Sequence, residues 1–420
     1  MLSPYQITLL LVLPILLSYI YSTYISPNPQ YSIIIDAGST GSRLFIYTSS
    51  PFSRIGSAKI SPGLNAFTFT RDESNDYTKK NKYKTPQQQY VKLFNKIQSI
   101  VPASRRSTTP VKILATAGMR LISNEQSEEI YESLREGLGS PFPYPILNIL
   151  TLSGREEGYY SLLSSNYLLG IIDEDMRRIG GEGMVGSLDM GGSSTQITFD
   201  PEGGEEIREE GLFIHSYLGF GGDTLREKVW DKIVSSNSNS NPCAFVGWSV
   251  TWGGRTLTGT GSSEKCRSLI LSVLDPIDAH STSSKINIDG IEHPKIRGKF
   301  LAMSLYFFAS DCLRSMSKGG ERFVQNWPNP SPNDMREAVK DFCGRNWEEL
   351  EPVRGTAHKW TRFDGFPHRC LETVYIHTLL RDGYGFDGDG RDVEFVLEIG
   401  GEEVEWTMGM ALESRVKSMK

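Results

Sequence analysis

The feature that most constrains the fold of this chain is a motif that occurs once in each half. Residues 33–46 read IIIDAGSTGSRLFI, and residues 186–199 read GSLDMGGSSTQITF. Aligned on Asp36 and Asp189, each copy is an apolar strand, an aspartate, a turn rich in glycine, serine and threonine, and a second strand. Because the copies are far apart in the sequence, they predict two related lobes rather than a solenoid of short repeats.

Strand and helix signals alternate around the two copies. Before residue 180 the apolar runs predict strands, and the 3.6-residue spacings predict helices. The predicted elements are strands at 31–35, 111–115 and 147–152 and helices at 86–101, 124–138 and 154–169. This interleaving indicates an α/β protein. We expect a first lobe over 31–180, a second lobe over 181–404, and a final helix at 405–420 that packs back on the first lobe.

Composition excludes several classes of protein. The 420 residues are 38% apolar and 22% charged, which is typical of a globular chain rather than a disordered, collagen-like or polytopic membrane one. The net charge is -6 and there is no long basic run, so we expect no nucleic-acid partner. The five cysteines show no CxxC spacing, and no Cys/His cluster suggests structural zinc. Their number fits two disulfides with one thiol in an oxidising compartment, and it fits five cytosolic thiols equally well.

The N-terminal 30 residues contain an apolar segment. Residues 7–25 carry no charge, and a helix of that length spans roughly the 30 Å core of a bilayer. Its first part, 7–17, also has the length of a signal-peptide core, but no small-x-small cleavage site follows it. We therefore predict a membrane anchor within residues 1–30, with a cleaved signal peptide as the alternative and a buried core helix as a third reading.

The turn in each copy of the motif predicts a phosphate-binding loop. Successive glycine, serine and threonine residues expose backbone N–H groups, which bind phosphate without a cationic side chain. The aspartate that ends the first strand, Asp36 or Asp189, can hold a divalent ion or its waters. A single Gly-Ser turn is usually only a hairpin, but two such turns facing one cleft would clamp the phosphates of a nucleotide around a metal.

Two further segments carry polar groups at the ends of predicted strands. Thr116 and Arg120 follow the strand at 111–115, and a hydroxyl at the end of a strand suits a phosphate or an attacking water. The alternative is a plain turn, with Arg120 in solvent or in a structural ion pair. Ser153 and Glu156 have capping-box spacing, which leaves the neighbouring Glu157 free to deprotonate a water. The alternative for Glu157 is the general preference of acidic residues for helix N-termini.

The order of these elements resembles the nucleoside triphosphate diphosphohydrolases, the family of the apyrases and the Golgi nucleoside diphosphatases. Five motif blocks carry the resemblance: DAGSTGSR (36–43), ATAGMR (115–120), SGREEGYYSLLSSNYLLG (153–170), LDMGGSSTQITF (188–199) and WTMGMAL (406–412). The resemblance implies a two-lobed fold like that of actin, heat-shock chaperone ATPases and sugar kinases, with the nucleotide in the cleft between the lobes.

The resemblance also implies roles for individual residues. Asp36 and Asp189 match the carboxylates that organise Mg²⁺ or Ca²⁺, and Glu157 matches the catalytic base. Contacts with the phosphates and the metal waters are implied for Gly38, Ser39, Thr40, Thr116, Gly191, Gly192, Ser193, Ser194, Thr195, Gln196 and Trp406. A lone tryptophan such as Trp406 is otherwise more often a core residue.

Several positions are less well defined by the resemblance. One aromatic face for the base is expected from Tyr306, Phe307 and Phe308, whereas Arg369 stands where relatives often have an aromatic residue. Arg155 stands where many members have an uncharged polar residue.

The resemblance implies a disulfide between Cys343 and Cys370. The motif NPC, followed by a cysteine after a glycine-rich loop, suggests a second disulfide between Cys243 and Cys266, which leaves Cys312 unpaired.

The expected activity is hydrolysis of the terminal phosphoanhydride of nucleoside di- and triphosphates, with UDP and GDP favoured over ADP and the triphosphates. The alternatives are an ecto-type ATP/ADP apyrase and, more remotely, a phosphotransferase or exopolyphosphatase of the same superfold. The expected location is a single-pass type II membrane protein with its catalytic part in the Golgi or ER lumen. The single apolar segment, the absence of an N-glycosylation sequon and the sequence EVEWTMGMAL favour that location.

Overall fold

The first of two five-stranded sheets contains the first copy of the motif. A computed structural model describes residues 31–68, 85–139, 142–181, 183–203, 209–275 and 286–419. The first sheet is formed by β1 (Tyr31–Ala37), β2 (Ser42–Ser49), β3 (Phe52–Ile60), β4 (Val111–Ala115) and β5 (Ile146–Thr151). Its strand order is β3-β2-β1-β4-β5, with β1 antiparallel to β2 and parallel to β4.

The second sheet repeats this topology. The remaining strands are β6 (Gly186–Met190), β7 (Ser194–Phe199), β8 (Phe213–Leu218), β9 (Ser240–Asn241), β10 (Ser249–Trp252), β11 (Arg255–Gly259), β12 (Phe300–Ala302), β13 (Val393–Phe395), β14 (Glu398–Ile399) and β15 (Glu402–Glu403). The second sheet has the order β13-β12-β6-β7-β8, in which β6 is antiparallel to β7 and parallel to β12. The two sheets therefore match strand for strand, and the predicted α/β fold with a twofold repeat is confirmed.

Thirteen α-helices connect the strands of the described residues. They are α1 (Pro86–Asn95), α2 (Ala103–Arg106), α3 (Ala117–Arg120), α4 (Asn124–Gly137), α5 (Gly154–Leu168), α6 (Gly222–Ser235), α7 (Ser263–Leu274), α8 (Leu305–Met316), α9 (Glu321–Gln325), α10 (Pro332–Cys343), α11 (Trp347–Leu350), α12 (Arg369–Thr378) and α13 (Trp406–Met419). Shorter helical turns lie at Leu64–Phe67, Glu209–Gly211, Ile288–Gly290, Glu351–Val353, Phe366–His368 and Leu379–Gly383.

The predicted helix at 86–101 ends early, at Asn95. Its apolar spacing continues because Ile97 and Val101 are fully buried, although they lie in turns after the helix. Periodicity reports which side chains face the core, and it therefore overestimated the length of this helix.

The core continues on both faces of the first sheet. Along β1, Ile33 and Ile35 pack on one side, and Ile34 packs on the other. The second side is covered by two helices: α13 contacts β1 and β2, whereas α5 contacts α13 and the strands β6, β7 and β8 of the second sheet. The two helices thus lie between the sheets. The domain boundary at residue 180 stays a prediction.

The cysteines pair as expected. The structure joins Cys243 to Cys266 and Cys343 to Cys370, and Cys312 is buried and unpaired. The predicted anchor at 7–25 lies outside the described residues. Among those that are described, no helix combines the length and the apolar character needed to span a bilayer.

Candidate active site

The two aspartate-led turns face each other across one cleft of about 230 Å³. A Cβ atom added to Gly192 would lie 2.7 Å from the Ser39 Oγ and 2.7 Å from a carboxylate oxygen of Asp223, so the two turns approach closely and a larger residue would require these side chains to move. The cleft is lined by most of the residues predicted from the sequence: Asp36, Gly38, Ser39, Thr40, Thr116, Glu157, Asp189, Gly191, Gly192, Ser193, Ser194 and Trp406. The lining residues come from both copies of the motif, from the turn between β4 and α3, and from the starts of α5 and α13.

Two predicted residues do not line the cleft. Thr195 is fully buried, and its hydroxyl donates to the backbone carbonyl of Asp189 at 2.8 Å. Gln196 lies behind the cleft, where its Nε2 donates to the Glu157 Oε2 at 3.0 Å and the Ser194 Oγ at 2.8 Å. Thr195 therefore supports the loop from behind, and Gln196 contacts the candidate base.

Asp36 and Asp189 end the equivalent first strands of the two sheets. Burial raises the pKa of Asp36 to about 8; Arg43 opposes this shift, and the carboxylates of Glu157 and Glu405 add to it. The Oδ1 atom of Asp36 is buried and has no hydrogen-bond partner. A buried carboxylate with an unpaired oxygen fits a cation ligand, because a divalent ion favours the ionised form that burial disfavours.

In the second aspartate, Asp189, neighbouring groups partly offset the effect of burial on the pKa. Burial raises the pKa of Asp189, while a hydrogen bond from Ser304 and the charge of Arg43 lower it. Within the described residues, no group of three or more His, Cys, Asp or Glu side chains converges on a metal position. The aspartate pair would therefore hold an ion with other ligands, such as water and phosphate oxygens, completing its shell, as the resemblance implies.

The adjacent glutamates at the start of α5 have different environments. Glu156 forms the expected capping box: its carboxylate accepts from the backbone N–H of Ser153 at 2.9 Å, and its own N–H donates to the Ser153 Oγ at 3.2 Å. Glu157 is only 7% exposed and faces the cleft. Its carboxylate pairs with Arg120, which is the structural ion pair that the sequence left as one alternative for this arginine.

The environment of Glu157 suits a base that works near neutral pH. Burial raises its pKa to about 7, the positive charge and hydrogen bond of Arg120 oppose the shift, and the charge of Asp189 adds to it. A general base is most effective when its pKa lies near the working pH. Arg120 and Gln196 both donate to the Oε2 atom, so one oxygen is held from behind.

Several residues of the cleft were not identified from the sequence. They are Gly41, Arg43, Ala117, Met190, Asp223, Ser304, Leu305, Glu372 and Glu405. Ser304 gave no usable signal in the sequence, because its equivalence to Thr116 appears only in the structure. It follows β12 as Thr116 follows β4, and these strands are equivalent in the two sheets. Its φ of 57° is unusual for a residue other than glycine and occurs where strain is held at functional sites.

The proposed aromatic face is only partly correct. Of the three aromatic residues at 306–308, only Phe308 lines the cleft. Tyr306 is fully buried, and its hydroxyl lies 3.1 Å from the Thr195 Oγ1. Arg369 is also buried and pairs with Glu372 rather than facing a base. Arg155 lies outside the cleft, about half exposed, and pairs with Glu209 at 2.9 Å.

Comparison with known proteins agrees with this geometry. The sequence profile of the GDA1/CD39 (nucleoside phosphatase) family matches residues 23–419. Ectonucleoside triphosphate diphosphohydrolase 1 of Rattus norvegicus is 26% identical over 92% of this chain and 81% of its own length. Nucleoside-triphosphatase ntp-1 of Caenorhabditis elegans is 25% identical over 92% of this chain and 73% of its own.

Solved structures support the fold. The nucleoside triphosphate hydrolases from Neospora caninum match with a TM-score of 0.62 at 13% identity, covering 93% of both chains. The Aquifex aeolicus member of the Ppx/GppA family matches with a TM-score of 0.52 at 15% identity, covering 93% of this chain and 99% of the other. The two-lobed fold implied by the resemblance is confirmed, and the chain belongs to the GDA1/CD39 (nucleoside phosphatase) family.

Proposed function

We propose that the protein hydrolyses the terminal phosphoanhydride of nucleoside di- and triphosphates with the help of Mg²⁺ or Ca²⁺, and that UDP and GDP are favoured. The observation that carries this proposal is the position of Glu157, a buried carboxylate with a raised pKa at a cleft formed by two phosphate-type turns. The names of the relatives, which include nucleoside triphosphate diphosphohydrolases and a nucleoside-triphosphatase, support the same reaction class.

In the proposed mechanism Glu157 accepts a proton from a water molecule that attacks the terminal phosphorus. Arg120 and Gln196 hold the carboxylate in place through its Oε2 atom. The backbone N–H groups of the two turns are available to phosphate oxygens, where negative charge develops in the transition state. A divalent ion held near Asp36 and Asp189 would supply further stabilisation of that charge. No covalent enzyme intermediate is involved.

The charge of the cleft supports the need for a cation. Among the described residues, one positively charged side chain, Arg43, lines it. The carboxylates that line it are Asp36, Glu157, Asp189, Asp223, Glu372 and Glu405. A polyphosphate chain entering this cleft without a metal would meet a strongly repulsive field. We therefore propose that the substrate is the metal–nucleotide complex.

A phosphate-release assay tests the proposal. UDP, GDP, ADP, UTP and ATP are incubated with Mg²⁺, with Ca²⁺ and with excess EDTA, without any acceptor. Release of phosphate from nucleoside diphosphates that requires the metal is the expected result. A clear preference for ATP and ADP would favour the ecto-type apyrase. Activity on inorganic polyphosphate alone would favour an exopolyphosphatase.

We also propose that the protein is a single-pass type II membrane protein whose catalytic part lies in the Golgi or ER lumen. The uncharged segment at 7–25 and the disulfides of Cys243–Cys266 and Cys343–Cys370 support a membrane anchor and an oxidising compartment. Protease protection in sealed microsomes tests the topology. Digestion of the catalytic part without detergent would contradict it.

A further inference from the structure

The cleft contains a carboxylate that the hydrolytic chemistry does not use. Glu372 lies in the first turn of α12, lines the cleft, and has a side chain that is only 8% exposed. Arg369 donates from Nη1 to the Oε2 of Glu372, and the Nε of Arg369 donates to the Thr361 Oγ1 at 2.9 Å. Within the described residues, Arg369 is the only side chain that donates to this carboxylate. Arg369 thus fixes the Glu372 carboxylate through Oε2, and no side chain of the described residues donates to Oε1.

Glu372 lies on α12, outside both phosphate-type turns, and its charge is already paired with Arg369, so we assign it to a part of the substrate other than the phosphates. Phe308 lines the same cleft, and its helix α8 packs against α12, which carries Glu372. An aromatic ring offers a stacking face for a planar base. A fixed carboxylate in the same wall offers hydrogen-bond acceptors for the edge of that base.

A carboxylate discriminates sharply between the common bases, because it accepts hydrogen bonds and cannot donate them. Guanine has two adjacent donors, N1–H and the N2 amino group. Oε1 of Glu372 can accept from one of them, and Oε2, which accepts from Arg369 through one lone pair, can accept from the other through its second lone pair. Uracil has one N–H between two carbonyl oxygens, so the second carboxylate oxygen would face a like-charged group. Adenine and cytosine place one amino donor beside a ring-nitrogen acceptor, which gives one favourable and one unfavourable contact.

We propose that Glu372 is a specificity-determining residue that selects guanine nucleotides by accepting hydrogen bonds from N1–H and N2–H of the base. Arg369 is its positioning residue, because it fixes the carboxylate without lining the cleft. The proposal rests on the proposed nucleotide hydrolysis and narrows it: GDP, rather than UDP, is the preferred diphosphate.

The experiment measures kcat/KM for GDP, IDP and UDP in the wild type and in Glu372→Gln. IDP carries hypoxanthine, which keeps N1–H but lacks the N2 amino group. One hydrogen bond to a charged acceptor corresponds to about tenfold or more in kcat/KM, so the wild type is expected to prefer GDP over IDP by about that factor. In Glu372→Gln the GDP/IDP ratio falls toward one, because the amide oxygen accepts from Arg369 and the amide N–H group faces the base.

Three controls accompany the measurement. Glu348→Gln, at an exposed position of α11, should leave kcat/KM for GDP, IDP and UDP unchanged. A circular-dichroism spectrum that matches that of the wild type shows that Glu372→Gln is folded. The second variant, Glu372→Asp, keeps the charge but shortens its reach, and an intermediate GDP/IDP ratio is expected.

Several outcomes would overturn the inference. A wild type that treats GDP and IDP alike, or prefers UDP, contradicts it without any variant. The carboxylate would instead be assigned to the ribose hydroxyls by two results together. In Glu372→Gln, kcat/KM would fall equally for all nucleotides, and in the wild type kcat/KM for 2′-deoxy-GDP would be lower than for GDP by the same factor. If the wild type releases phosphate from no nucleotide at all, the proposed function itself fails, which is a distinct result.

Discussion

Replacement of Glu157 by glutamine is the sharpest test of the proposed chemistry. The amide has nearly the same shape as the carboxylate, and its oxygen can still accept from Arg120 or Gln196. It cannot take a proton from water. Removal of a general base lowers rates by about 10²- to 10⁴-fold, or about 3–5 kcal/mol in the barrier. Binding of the metal–nucleotide complex should change little, because the turns and Asp36 are untouched.

Glu156→Gln is a matched control at the neighbouring position. Glutamine also serves at this position of a capping box, so the bond to the Ser153 backbone is retained. We expect the free energy of unfolding to change by less than about 0.5 kcal/mol and kcat to stay within about twofold. Steady-state phosphate release gives kcat, and titration with a non-hydrolysable nucleotide gives the affinity. If Glu156→Gln were the more damaging change, the assignment of the base would be wrong.

The remaining predictions concern pH, metal and packing. With metal and nucleotide saturating, kcat should fall about tenfold per pH unit below the pKa of Glu157, which a bound cation lowers from about 7, because protonated Glu157 accepts no proton. A rate that does not fall with decreasing pH would contradict this. Mg²⁺ should raise the Tm of the wild type but not of Asp36→Ala, measured by thermal unfolding with and without EDTA, because ligand binding stabilises only a protein that holds the ion. In Gly409→Ala the added methyl group meets the carbonyl oxygen of Tyr160, so the free energy of unfolding should fall by about 1–2 kcal/mol. In Gly211→Ala the methyl group meets no neighbouring atom, so the free energy of unfolding should hardly change. Denaturant titration measures both values.

The repeat motif made the fold predictable because it specified the same hairpin in both halves of the chain. Each copy contains two strands and the turn between them, and the structure pairs them in register, with Asp36 opposite Arg43 and Asp189 opposite Gln196. The equivalence of the remaining strands was not visible in the sequence. The strands β12 and β13 are only three residues long, too short to give a periodic signal.

The candidate base was predictable because the neighbouring Glu156 is already engaged in the helix cap. Ser153 and Glu156 satisfy each other at the start of α5, and the next residue is turned toward the cleft. The partner of that residue was not predictable in the same way. Arg120 is distant in the sequence, and only the packing of α3 near α5 brings its guanidinium to the carboxylate.

Residue type alone misassigned side chains whose direction depends on tertiary packing. Thr195 belongs to a phosphate-type sequence, yet strand alternation turns its side chain away from the cleft. Its hydroxyl instead contacts the hydroxyl of Tyr306 in the interior. Arg369 stands where relatives often have an aromatic residue, and the structure shows that Thr361 and Glu372 hold it in the interior. A buried ion pair of this kind leaves no pattern in a single sequence, because both partners are charged residues at ordinary helix spacing.

The repeat also explains why the cleft can be symmetric in binding and asymmetric in chemistry. The strands β5 and β13 are equivalent, and each is followed by one of the two helices between the sheets, α5 and α13. Near the start of α5 stands Glu157, whereas α13 begins with Trp406. Two matching aspartates suit a cation and a phosphate chain near the axis that relates the sheets. An in-line displacement has water on one side of the phosphorus and the leaving group on the other, so a base is needed from only one half. The copy that lacks the base is therefore free to supply an aromatic wall, and the close approach of Gly409 to the Tyr160 backbone holds the two helix starts in a fixed relation.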